Sequence, residues 1–173
     1  MSIVSETLKF EIPPKEKVQL LVKQGGGRGD FLSEITDYCQ EATDADKAIC
    51  LAAVNQITRE DPSFIKDRLD FIISQINSKS AQVKMEAGEI IANSAKTFPD
   101  EASKAIPALT SMADDQLTII RLSAAAGLVT IARNNPKAGK ELKRFFKAAA
   151  KREKQSSVRN IYLEALDSLG KAK

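Results

Sequence analysis

The sequence predicts an all-α protein: a right-handed superhelical solenoid of about four stacked helix pairs, preceded by an N-terminal helix. Three observations carry this. Apolar residues recur at three- and four-residue spacing along most of the chain, which is the helical period. Pro62, Pro99 and Pro136 stand 37 residues apart. Lys47, Lys84 and Arg121 are also 37 apart, and Arg159 follows after 38. Equal spacing at this length marks one supersecondary unit used repeatedly. A single helix pair cannot bury its apolar face alone, whereas stacked pairs can.

The elements follow in order. Residues 1–14 interleave Ile3, Val4, Leu8, Phe10 and Ile12 with polar residues, and Pro13-Pro14 stops the pattern. They are expected to be a partly ordered tail laid on the first helices, ahead of one solenoid domain over 15–173. Residues 15–24 place Val18, Leu21 and Val22 on one helix face. Gly25 to Asp30 reads as a loop ending in an Asp N-cap. It lacks the Gly-Lys-Ser/Thr ending of a phosphate-binding loop. Phe31, Leu32, Ile35 and Cys39 give the next apolar stripe, and Thr43 with Asp46 forms a capping box for the helix after it. Asp61-Pro62 is expected to open a helix to Ile76, with proline in the first turn. Helices over 82–97, 100–113, 117–134, 137–152 and 157–170 complete the chain.

Within each second helix the register repeats. Three residues after the basic position stand Cys50, Ala87, Ala124 or Tyr162, and seven after it Val54, Ile91, Leu128 or Leu166. Small side chains at the first position allow close helix approach, predicting a tight contact at Ala124 and Gly127.

Composition narrows the function. The chain is 173 residues, 43% hydrophobic and 28% charged, ordinary for one globular domain. It has no histidine, which removes the commonest general base and metal ligand. No apolar run approaches the ~20 residues of a membrane helix. No basic segment followed by an apolar run opens the chain, so a cytoplasmic protein is expected, with Cys39 and Cys50 reduced. The two cysteines have no metal-type spacing, and neither metal nor cofactor is expected. The net charge of +3 is uneven, since residues 137–173 hold eleven Lys/Arg against four Asp/Glu.

The third unit resembles the HEAT repeat of the armadillo-like superfamily. Pro107 sits where the family's first helix kinks, Asp115 lies in the turn, and Ile120-Arg121 opens the second helix. The second unit has Asp70, Ser78 and Lys84 in those places, and the last has Phe145, Glu153 and Arg159. The resemblance spans about residues 30–170. It implies that Asp115 bonds Arg121, or Lys84 or Arg159 of neighbouring units. It also implies that second helices line a concave face, which mostly binds other macromolecules.

On that face, steps of four and three group Ala52-Gln56-Arg59, Glu89-Asn93-Lys96, Ala126-Thr130-Arg133 and Glu164-Ser168-Lys171. The expected site is therefore Gln56, Arg59, Glu89, Asn93, Lys96, Thr130, Arg133, Glu164 and Ser168. The same cations also complement helix C-terminal dipoles. A basic stripe of Lys140, Lys143, Lys147 and Lys151 lies off the apolar face of its helix, either as a solvated outer surface or as a polyanion contact. The carboxylate pairs Asp67/Asp70, Asp100/Glu101 and Asp114/Asp115 fall at helix starts or on exposed faces, so no catalytic dyad is expected. These readings predict a non-catalytic scaffold for a protein or peptide partner. Nucleic-acid binding through the basic helix is one alternative, and an accessory lyase or chaperone of HEAT-like type is another.

Overall fold

The computed structural model describes residues 2–26 and 28–171. Met1, Gly27 of the glycine loop, Ala172 and Lys173 lie outside the described residues. Eleven α-helices and one 3-10 turn make up these residues, with no strand among them. The helices are α1 (Ile3–Lys9), α2 (Pro14–Gly25), α3 (Gly29–Cys39), α4 (Asp44–Glu60), α5 (Leu69–Gln75) and α6 (Ala81–Ser94). Then come α7 (Pro99–Ser103), α8 (Ile106–Met112), α9 (Thr118–Asn134), α10 (Pro136–Arg152) and α11 (Ser156–Lys171).

Two layers result. Helices α2, α4, α6, α9 and α11 pack side by side in that order. Against them lie α3 on α4, α5 on α6, α7 and α8 on α9, and α10 between α9 and α11. This is the all-α superhelical repeat fold that the proline and basic spacing predicts.

The N-terminal segment is more ordered than its mixed pattern predicts. Residues Ile3–Lys9 form a helix, capped by Ser2 Oγ accepting from the Ser5 amide at 3.1 Å. Val4, Thr7 and Leu8 are its buried side against α2 and α3. The apolar spacing at 4 and 8 was too short to be diagnostic, and packing decided the conformation. The expected Asp30 N-cap is also corrected. Helix α3 starts at Gly29, and Asp30 instead pairs with Arg28 at 2.8 Å. Gly25 is buried, and a Cβ there would collide with the Phe31 ring.

The helix expected from Asp61 begins late. The Asp61 carboxylate accepts from the Ser63 amide at 2.9 Å and from its hydroxyl at 2.6 Å. That local turn competes with the helix. A 3-10 turn at Lys66–Arg68 follows, and α5 covers only Leu69–Gln75. The third unit breaks at the same place, between α7 and α8, with Pro107 in the first turn of α8. The kink that the resemblance places at Pro107 is therefore present, and the second unit makes it without a proline. The Thr43 cap forms as expected, accepting from the Asp46 amide at 3.2 Å.

Close approach at the α6–α9–α8 contact also holds. Ala87 and Ala124 are fully buried. A Cβ on Gly127 would meet Leu109 at 3.1 Å, and one on Gly88 would meet Ser123 Oγ at 2.6 Å. In the last unit the small residue is replaced by Tyr162, stacked on Phe146 at 5.6 Å. Its hydroxyl is buried with no hydrogen-bond partner among the described residues, and burial pushes its pKa up to about 12. Cys39 and Cys50 are free, buried thiols. Their mutual hydrogen bond and burial raise the pKa of Cys50 far above the usual thiol range.

Ion pairs tie successive units along one edge. Lys84 of α6 pairs with Asp115 of the next turn at 2.9 Å. Arg121 of α9 repeats the contact one unit on, its Nε 2.8 Å from Glu153 Oε2 and its Nη2 3.1 Å from Oε1. Arg121 Nη1 also donates to the Asp115 and Gln116 carbonyls, both at 3.0 Å. Burial alone would raise the Asp115 pKa, but the Leu117 amide and Lys84 hold it below the usual range. Arg121 does the same for Glu153. The first junction has Ser78 at this place, which offers no carboxylate to Lys47.

Candidate functional site

The expected site residues lie on α4, α6, α9 and α11, except Lys96 in the turn after α6, and the structure divides them. Gln56, Lys96, Arg133, Glu164 and Ser168 are exposed. Arg59 is not a free cation: its Nη2 lies 3.2 Å from Glu89 Oε2. Thr130 Oγ1 donates to the Ala126 carbonyl at 2.8 Å, and Ser168 Oγ to Ala165 at 2.9 Å. Both hydroxyls are thus turned back onto their own helices. Asn93 is consumed by the neighbouring helix. Its amide donates to Asn55 Oδ1 at 2.9 Å, to the Asn55 carbonyl at 3.2 Å and to Thr58 Oγ1 at 3.2 Å.

The partner of Asn93 is a residue that sequence reasoning missed. Asn55 is buried between α4 and α6, and its Nδ2 donates to Glu86 Oε2 at 2.8 Å and Glu89 Oε2 at 2.7 Å. Glu86 is only 6% exposed. Its other oxygen accepts from Gln82 Nε2 at 2.5 Å. Its carboxylate thus meets two amides, and no cation among the described residues forms an ion pair with it. Burial raises its pKa and the nearby Glu89 adds to that, against the lowering by Asn55, Gln82 and the charge of Arg59. The available signal was a polar residue at each buried position of facing helices, Asn55 one step after Val54 and Glu86 one step before Ala87.

Beside this cluster α2 and α4 leave a groove of about 360 Å³. Val18, Ala48, Ile49 and Ala52 make its floor almost wholly apolar, with Lys15 and Gln82 at its rims. The alanines on α4 have too little bulk to fill the angle between the two helices.

Four carboxylates of the expected pairs are held by cations. Asp70 pairs with Lys104, Glu101 with Lys66, Asp114 with Arg152 and Asp115 with Lys84, at 2.7 to 3.3 Å. Among the described residues no group of three or more His, Cys, Asp or Glu is placed to hold a metal. No helix among them is long and apolar enough to cross a membrane. On α10, Lys140, Lys147 and Lys151 are exposed and Lys143 half-buried, while Leu142 and Phe146 face the core.

The layered array of repeated helices is an all-α superhelical repeat fold. Solved structures agree. A designed armadillo repeat protein in complex with the peptide (KR)4 superposes with a TM-score of 0.75 at 16% identity, over 96% of this chain and 80% of that one. Computationally designed armadillo repeat proteins for modular peptide recognition give 0.69 at 21% identity, over 88% and 68%. An engineered protein gives 0.67 at 18% identity, over 98% and 80%. No protein-family model matches the sequence, and no curated protein matches it. At these identities the likeness establishes the fold.

Proposed function

We propose that this protein is a non-catalytic scaffold that holds an extended peptide along the exposed side of α4, α6 and α9, read as the concave face. The observation that carries this is the recurrence of an exposed cation once per unit, Arg59 and Arg133 in the last turns of α4 and α9 and Lys96 in the turn after α6. Peptide recognition by designed armadillo repeat proteins of the same fold is consistent with it. Lys96 and Arg133 have no carboxylate partner among the described residues and are the available contacts for acidic side chains. Arg59 contributes by holding Glu89.

Selection of a displayed random-peptide library on the immobilised protein tests the reading. Peptides should be enriched, and the triple change Arg59→Ala, Lys96→Ala, Arg133→Ala should weaken their binding with little change in melting temperature. If the cations serve only helix dipoles, the triple change costs roughly 1–3 kcal/mol and leaves peptide capture intact. That result refutes the proposal. The basic stripe on α10 is read as the solvated outer face of a terminal unit, as solenoid ends require.

A further inference from the structure

We propose that Cys39 and Cys50 form a reversible disulfide latch, which ties the end of α3 to α4 under oxidation and releases it under reduction. This inference does not rest on the peptide-scaffold reading.

The repeat register places the two thiols. Cys39 is the last residue of α3, and Cys50 lies in the second turn of α4, against which α3 packs. The same two positions one and two units on carry Ile76 with Ala87 and Ala113 with Ala124. All six side chains are buried, and α5 packs on α6 and α8 on α9 as α3 does on α4. Each of these units thus brings the end of its first helix to one position of its second. The apolar pairs show that packing at this joint does not call for sulfur. The first unit fills it with both cysteines of the chain, free and hydrogen-bonded to each other. Joining them shortens a contact that already exists.

The oxidant is a peroxide. The thiolate of one cysteine attacks a peroxide oxygen, the O–O bond breaks, and the released hydroxide takes a proton to become water. The other thiol attacks the sulfenic acid so formed, the S–O bond breaks, and a second water leaves as the S–S bond closes. Both cysteines are oxidised and one hydrogen peroxide is reduced to two waters. A reducing dithiol reopens the bond by exchange. The reacting form is the thiolate. The neighbouring thiol and burial keep Cys50 protonated, and the charge of Asp46 acts in the same direction. The closed unit therefore resists oxidation, and the reaction runs when α3 lifts from α4. This joint stands near one end of the array, where a unit is held from fewer sides. Oxidation captures the opening of that end, and the bond then opposes it, because a cross-link restricts the open chain.

Hydrogen peroxide treatment of the whole protein tests this, in buffer and in urea below the unfolding midpoint. Remaining thiols are alkylated with N-ethylmaleimide, and peptide mapping by mass spectrometry locates the products. A bond between Cys39 and Cys50 within one chain should form, several-fold faster in urea than in buffer. The bonded protein should melt roughly 5–10 °C above the reduced one, as a short closed loop provides. Dithiothreitol should restore the reduced melting temperature. Cys39→Ala and Cys50→Ala copy Ala113 and Ala124 of the third unit, so both should fold and neither should gain stability from peroxide. The proposal is overturned if both thiols stay alkylatable after peroxide in urea. Sulfinic acid or bonds between chains in place of the internal bond overturn it too, as does a bonded form that melts no higher than the reduced one. Equal oxidation rates in buffer and urea overturn the gating by α3.

Discussion

Replacing Arg121 by Met should loosen the last unit from the third. Arg121 reaches Glu153 through two contacts, 2.8 and 3.1 Å, and caps the Asp115 and Gln116 carbonyls at 3.0 Å. The pair is shielded, with side chains 16% and 7% exposed. Methionine keeps the aliphatic stem and removes the donors. Breaking a fully buried pair costs roughly 3–5 kcal/mol because the remaining charge is stranded. Here Glu153 Oε1 keeps the Gln155 amide at 2.9 Å, and the edge admits some water. The expected loss is therefore about 2–4 kcal/mol. For a chain of 173 residues, at ~2–4 °C per kcal/mol, melting should fall by roughly 4–16 °C. Glu153→Gln keeps the turn contact and part of the fork, so it should cost about 1–2 kcal/mol. The double variant should lose less than the sum, with a coupling on the order of 1–3 kcal/mol. Thermal melts and urea titrations by circular dichroism measure all three. The pH dependence has a definite sign. Arg121 holds the Glu153 pKa below its unfolded value, so the contribution is present at neutral pH. It is lost as pH falls through the depressed value, and wild type and Arg121→Met should converge in acid. The exposed Lys171–Asp167 pair is the control, with side chains 76% and 67% exposed. If Arg121→Met melts no lower than Lys171→Met, the ladder does not hold the units together.

Glu86→Gln should behave in the opposite sense. Burial raises the Glu86 pKa in the fold, so the unfolded chain gives up this proton first as pH rises. Stability is lost through that window, and the variant should exceed wild type in urea midpoint at pH 7 and match it below about pH 4. Equal midpoints at pH 7 would show that the amides of Asn55 and Gln82 compensate the charge fully. Two glycine substitutions should differ in size. A Cβ on Gly139 would stand 2.7 Å from the Ala132 carbonyl oxygen, a backbone atom that cannot swing away, whereas one on Gly170 meets nothing within 4 Å. Gly139→Ala should cost on the order of 1–3 kcal/mol by overpacking, and Gly170→Ala should change the melting temperature little.

Helical period, equal spacing of prolines and basic residues, and the size pattern at Ala87, Ala124 and Gly127 were enough to determine the class of fold. These features are local, and every unit repeats them, so the same physics is sampled several times along the chain. One rung of the ladder, Asp115 with Lys84, was among the pairings the resemblance implied, whereas Arg121 with Glu153 emerged only from the structure. The second unit's late helix start was not legible. It depends on whether Asp61 bonds Ser63 or caps a helix, two options close in energy. The site shows the same division. Periodicity placed Gln56, Lys96 and Arg133 on a solvent-facing register. Only the packing of α4 against α6 decided that Asn93 and Arg59 are engaged, and that Asn55 and Glu86 are buried partners 31 residues apart. Helical period fixes which side of a helix a residue occupies. Whether that side meets water or another polar side chain depends on the approach of a distant segment, and the local sequence of a helix does not contain that distance.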